Sequence, residues 1–69
     1  MEHQPVASSN ISSIGYDKTT ETLEVAFHNG SVYQYYNVPE PMYEALKQAP
    51  SKGQFLNSQI KNAFPYSRV

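Results

Sequence analysis

Few residues in this chain are able to do chemistry, and most of those lack a partner. There is no cysteine, and there are two histidines, His3 and His28. Without thiols there is no thiolate nucleophile, no disulfide and no thiolate metal site. Two histidines without ligand-spaced neighbours do not make a zinc site, so neither metal nor cofactor is expected. Serines are plentiful, but His28 precedes Asn29-Gly30 in what reads as a hairpin turn, remote in pattern from Ser51. A solvated turn histidine is the plainer reading than a general base. The carboxylates show no paired acid–base spacing. The chain is therefore expected not to be an enzyme.

What remains is binding chemistry. Ser51-Lys52-Gly53-Gln54 has capping-box spacing, a serine with glutamine three residues later. The first N–H groups of a helix are unpaired, and the helix dipole favours an anion there. Gly53 permits close approach and Lys52 adds charge; the plain alternative is an ordinary N-cap with Gly53 making room for packing. Gln54, Asn57, Ser58 and Lys61 then recur at i, i+3, i+4, i+7. This face carries donors and no carboxylate, which suits phosphate contact and equally a solvated helix. Arg68 adds a cation in the tail. Tyr33 and Tyr35 belong to the residue type that stacks nucleobases on a sheet; Tyr36 points to the other side. The candidate ligand-binding set is Lys52, Gly53, Asn57, Lys61, Arg68 and Tyr36.

Charge is unevenly divided. Residues 1–44 hold six carboxylates (Glu2, Asp17, Glu21, Glu24, Glu40, Glu44) against Lys18. Residues 45–69 hold Lys47, Lys52, Lys61 and Arg68 and no carboxylate. Such asymmetry marks an anion-binding face or a partition that pairs in the fold. The overall charge of −1 argues against strong non-specific nucleic-acid binding. No apolar stretch approaches the roughly 20 residues of a membrane span. The polar, acidic start lacks the basic and apolar regions of a secretory signal, so a cytoplasmic location is expected.

The elements that must position these residues follow from periodicity. Sixty-nine residues make one small domain with a thin margin of buried surface. Six tyrosines and three phenylalanines are its main means of building a core, each burying about 150–250 Å². Residues 1–9 lack periodicity and read as a flexible lead-in, frayed at least through Pro5, ahead of a single domain over 10–69. Residues 10–16 have weak strand character around Ile11 and Ile14. Leu23, Val25 and Phe27 alternate with Glu24 and Ala26, the period of a half-buried strand. Asn29-Gly30 is a hairpin signal, and residues 31–37 form the return strand.

Two registers compete at this hairpin. A two-residue Asn-Gly turn places Gln34 among core residues. A three-residue loop with Gly30 in left-handed conformation pairs Val25 with Tyr33, Leu23 with Tyr35 and Glu24 with Gln34. The second groups apolar with apolar, and a one-residue slip inverts every side chain. It predicts Tyr33 and Tyr35 mostly buried and Glu24 and Gln34 exposed on the far face. Pro41 suits a first helical turn, and Met42, Ala45, Leu46 and Ala49 make an apolar stripe that Pro50 ends. A second helix runs to about Phe64 on Phe55, Leu56, Ile60, Ala63 and Phe64, and a tail packs back through Tyr66. The expected fold is α+β: a three-stranded antiparallel meander followed by two helices on one face of the sheet.

Residues 6–69 resemble a KTSC domain, a module named for its place at the C-terminus of some lysyl-tRNA synthetases. The likeness rests on Asn10-Ile11, Ile14-Gly15-Tyr16-Asp17, Thr22-Leu23-Glu24-Val25 with Phe27, Asn29-Gly30 and Tyr33-Gln34-Tyr35. It continues through Val38-Pro39, Ser51, Gly53, Phe55, Asn57, Ile60-Lys61, Pro65-Tyr66 and Arg68. The resemblance implies small bacterial or phage proteins as company. Through the attachment to a synthetase it implies an RNA-binding role, and it carries over no catalytic set. Two expectations of function follow. One is a non-catalytic module binding RNA or another phosphate-bearing ligand on its basic helix and tail. The other is a protein-interaction module, contacting a partner through the β face with Val32 and Tyr36 or through an edge strand.

Overall fold

The computed structural model describes residues 1–69. Its elements run β1 (His3–Pro5), β2 (Ile11–Asp17), β3 (Thr22–Phe27), β4 (Val32–Tyr35), α1 (Glu40–Gln48), α2 (Lys52–Phe55) and β5 (Tyr66–Arg68). A π-helical turn, Leu56–Ile60, continues α2 directly. All neighbouring strands are antiparallel, in the order β1-β2-β3-β4-β5. The fold is α+β with two helical segments, but the sheet has five strands instead of three.

The two additional strands correct two expectations. Part of the expected lead-in is an edge strand, with His3 opposite Gly15 and Pro5 opposite Ser13. The expected tail is the other edge strand, with Tyr66 opposite Tyr35 and Arg68 opposite Tyr33. Each is only three residues long. A proline is tolerated in the first because an edge strand need not donate every N–H.

The bulged hairpin register is the one observed. Leu23 pairs with Tyr35, Glu24 with Gln34 and Val25 with Tyr33. The Phe27 N–H donates to Ser31 O at 2.8 Å, and Gly30 takes φ +93°, a conformation glycine adopts without cost. A second irregularity lies between Ile11 and Ser13 of β2. Ile11 and Ile14 have an odd spacing, yet both are fully buried. The extra residue, Ser12, restores the inward face.

The core is Ile11, Ile14, Leu23, Val25, Tyr35 and Val38 of the sheet side against Tyr43, Leu46, Leu56 and Ile60 of the helices. The helical stripes differ slightly from expectation. Tyr43, not Ala45, faces the core from α1, and Ala63 is exposed. Tyr43 stacks on Tyr16 with ring centroids 4.7 Å apart, and the Tyr16 hydroxyl donates to Val38 O. Burial, with the nearby carboxylates Glu21, Glu40 and Asp17 adding to it, holds the Tyr16 hydroxyl above the usual tyrosine range. No helix is long and apolar enough to cross a membrane.

Candidate functional site

The inner sheet face carries more aromatic surface than the helices cover. Tyr35 is 4% exposed beneath them. Tyr33 is also mostly buried, as expected, and packs against the core, but it is less covered than Tyr35. The reason is geometric: between the helical segment at Leu56, Asn57 and Lys61 and the hairpin end at Phe27, Asn29, Ser31 and Tyr33 a cleft of about 390 Å³ stays open. Tyr35 and Tyr66 complete its lining.

The rings in this cleft form one connected series. Phe27 meets Tyr33 edge-on at 5.7 Å, Tyr33 meets Tyr66 at 5.8 Å, and Tyr66 meets Tyr35 at 5.6 Å. Tyr66 is 53% exposed, so its ring is available to a flat ligand. Burial, chiefly, pushes the Tyr35 hydroxyl above its usual range. Lys61 and Asn57 stand on the helical wall, Asn29 and Ser31 on the hairpin wall, and no carboxylate lines the cleft.

The π turn places Asn57 and Lys61. The Lys61 N–H donates to Leu56 O at 2.8 Å, a span of five residues, while Leu56 and Ile60 stay buried. Such turns recur at functional positions. Arg68, the cation expected in the tail, lies in the edge strand β5. It pairs with Tyr33 in the sheet and therefore shares the aromatic face. Its Nη2 donates to Ser31 Oγ at 3.2 Å, at the cleft's rim.

A second, polar cleft of about 380 Å³ holds Lys52 and Gly53, with Ser8, Ser9, Asn10, Ser51 and Gln54. Ser51 is the expected cap: its Oγ accepts from the Gln54 N–H at 3.3 Å. Lys52 is partly committed, donating to Ala49 O at 2.9 Å beyond the end of α1. Asn57 lines both clefts. The structure thus brings Asn57, Lys61 and Arg68 to the aromatic face, sets Lys52 and Gly53 in the adjoining cleft, and leaves Tyr36 apart.

Tyr36 belongs to the opposite sheet face. Its hydroxyl donates to Gln34 Oε1 at 3.2 Å and meets Ser67 Oγ. Gln34 Nε2 donates to Glu24 Oε2 at 2.8 Å. The other Glu24 oxygen lies 2.6 Å from His3 Nε2, and His3 Nδ1 lies 2.8 Å from Ser13 Oγ. Glu24 and Gln34 face away from the helices as expected, but this network leaves them half buried, not exposed. The hydrogen bonds of Gln34 first, and then of His3, hold the Glu24 carboxyl below the usual range. Strand pairing created this network, and nothing in the local pattern around His3 announces it. Phe27, Asn29 and Tyr66 were also missed as cleft residues. Only the aromatic excess hinted that some rings would lack cover.

The His28 ring makes one polar contact, Nε2 to Ser8 O at 3.1 Å, and the hollow it borders is lined by Ser9, Asn10, Phe27 and Asn29 without a carboxylate. Three cations remain beside the clefts, whereas Lys47 pairs with Glu44 at 3.2 Å and covers the Tyr43 ring.

The sequence matches the KTSC domain family over residues 7–64. The chain belongs to the KTSC domain family. The crystal structure of a KTSC domain protein from Yersinia pestis superposes with a TM-score of 0.93 at 42% identity, over 99% of this chain and 96% of that one. A lysine–tRNA ligase of Trichormus variabilis is 44% identical over 61 residues, 88% of this chain. The KTSC chain spans only 11% of that ligase's length. A protein of Tsukamurella paurometabola is 41% identical over the same share of this chain and 91% of its own. KTSC domains therefore occur both as a small part of a ligase and as most of a small protein.

Proposed function

We propose that this KTSC domain is a non-catalytic module that binds single-stranded or looped RNA across its aromatic cleft. The observation that carries the reading is the cleft itself, in which Tyr33, Phe27 and the exposed Tyr66 are flanked by Lys61 and Asn57 with no carboxylate. Aromatic platforms beside a cationic track are how proteins hold single strands: the bases stack and the cations meet phosphates. Lys61 and Arg68 take the backbone and Asn57 adds a hydrogen bond. RNA as the ligand class is suggested by the ligase relatives, which by name act on a tRNA and of which this module is a small part. A non-catalytic role is supported by the surroundings of His28, where Nε2 is taken up by the Ser8 carbonyl oxygen and no carboxylate lines the hollow to orient the ring.

The test is anisotropy of a labelled single-stranded RNA titrated with the protein at several salt concentrations. Tyr66→Ala is expected to cost about 1–3 kcal/mol of binding, the range of one base–aromatic stack. Lys61→Gln and Arg68→Gln each lower the salt slope by about one. A binding curve indifferent to Tyr66→Ala would sink the reading. A second reading, docking of a protein along a sheet edge, is favoured by the outer edges of β1 and β5, which no other strand covers. Edge pairing gives binding that changes little with salt and survives the loss of Lys61 and Arg68.

A further inference from the structure

The polar cleft lined by Lys52 and Gly53 adjoins the aromatic one at Asn57, and its chemistry is complementary. It contains no aromatic ring and no carboxylate; hydroxyls, amides and one ammonium line it. Ser8 Oγ accepts from the Asn10 and Ile11 N–H groups, and Ser51 Oγ accepts from the Gln54 N–H. Each hydroxyl oxygen is used as an acceptor, so its own proton is left for an external acceptor. Lys52 spends one of its three donors on Ala49 O. At Gly53 an added Cβ would meet only Asn10 Nδ2, at 3.8 Å, so the backbone there is open to close approach. All six carboxylates lie elsewhere, and Glu2, Glu40 and Glu44 border a separate hollow with Lys18 and Lys47.

We infer that the two clefts are consecutive compartments of one site for a single RNA strand. The aromatic compartment takes a base, and the serine-rich compartment takes the sugar–phosphate backbone of the nucleotides next to it. Asn57 is the shared wall past which the chain runs. This inference rests on the reading of the aromatic cleft as a base site. It extends that site by a second compartment, so that the strand is held by its backbone as well as by a base. The placement agrees, because Lys61 lines one cleft and Lys52 the other, with Lys52 Nζ turned to Ala49 O. A hydroxyl-rich, donor-rich wall suits phosphate and sugar oxygens, which are acceptors without sequence information.

The experiment titrates the full chain with uridine monophosphate and with oligouridylates of two, four and eight nucleotides, at several salt concentrations. Affinity is expected to rise with length, and the salt slope to steepen by about 0.7 for each further phosphate that the protein neutralises. Ser9→Asp places a negative charge at an exposed position in the serine-rich compartment. It is expected to weaken the octamer roughly tenfold, by repelling the phosphates there, and to leave the monophosphate unchanged. Asn57→Leu should likewise remove the rise in affinity with length. Tyr66→Ala should weaken every ligand alike. If the octamer binds with the affinity and salt slope of the monophosphate, or Ser9→Asp affects both equally, the two-compartment inference is overturned while the base site stands. If no RNA binds and a folded state is confirmed, both fail.

Discussion

Gly15 decides whether β1 can exist as a strand. It is paired with His3 across the sheet edge, and with Glu24 on its other side. The His3 imidazole reaches Glu24 across the position where a side chain would stand. An added Cβ would lie 2.8 Å from His3 Cδ2 and 2.9 Å from the Glu2 carbonyl oxygen. The second atom is backbone, so the clash is relieved only by moving β1. Gly15→Ala is therefore expected to detach β1 and break both hydrogen bonds of His3, to Ser13 and to Glu24. A neutral bond contributes about 1 kcal/mol, and a bond to a charged group about 1.5–3 kcal/mol. Alanine in a strand returns roughly 0.5–1 kcal/mol relative to glycine, and the freed segment regains backbone entropy. The net loss is expected at about 1–3 kcal/mol, with roughly 4–8 °C of melting temperature for each kcal/mol in a domain of this size. Denaturant unfolding measures the loss, and amide exchange at Gln4 and Val6 reports whether β1 has left. His3→Ala in the same background should add little, since the two changes remove the same contacts. Stability equal to the parent's, with β1 amides still protected, would show that β1 does not depend on the open space at Gly15.

Tyr35→Ala removes a ring that is 4% exposed at the centre of the sheet; chemical denaturation should register a loss near the ~3–5 kcal/mol of large core aromatics. Tyr16→Phe deletes the bond to Val38 O while keeping the stack on Tyr43, and should cost about 0.5–1.5 kcal/mol; an unchanged midpoint would mean the hydroxyl is idle. The Glu24 carboxyl is held below its ordinary 4.5 by Gln34 and His3. Its contribution is thus complete above the ordinary value and is lost as pH falls through the lowered folded value. Comparison of Glu24→Gln with the parent should therefore show a stability difference that shrinks below pH 4.5, and a constant difference across that range would contradict the coupling.

Several elements were legible because their signals are local. Leu23, Val25 and Phe27 share one face by period two, Asn29-Gly30 marks the turn, and the need to keep Gln34 out of the core selects the bulged loop over the tight one. Pro41, Pro50 and Ser51 likewise bracket the helices through backbone chemistry that acts within one turn. The site was legible in part. Asn57 and Lys61 follow from helical spacing, but their aromatic partners Phe27 and Tyr66 come from the far side of the cleft, and Tyr36 proved to be engaged on the opposite sheet face.

Residue order along the chain thus settled the hairpin, its inward faces and the starts of the helices, since each depends on sterics and hydrogen bonds between near neighbours. It was silent on β1 and β5. A three-residue strand has too few side chains to display a period, and Tyr36 and Ser67 meet across 31 residues. Only assembly of the sheet creates the free energy that orders such segments, by offering an already formed edge to pair with. The same assembly decided which rings are covered. Tyr33 and Tyr35 are alike in sequence pattern, but the helical layer reaches over one and stops short of the other.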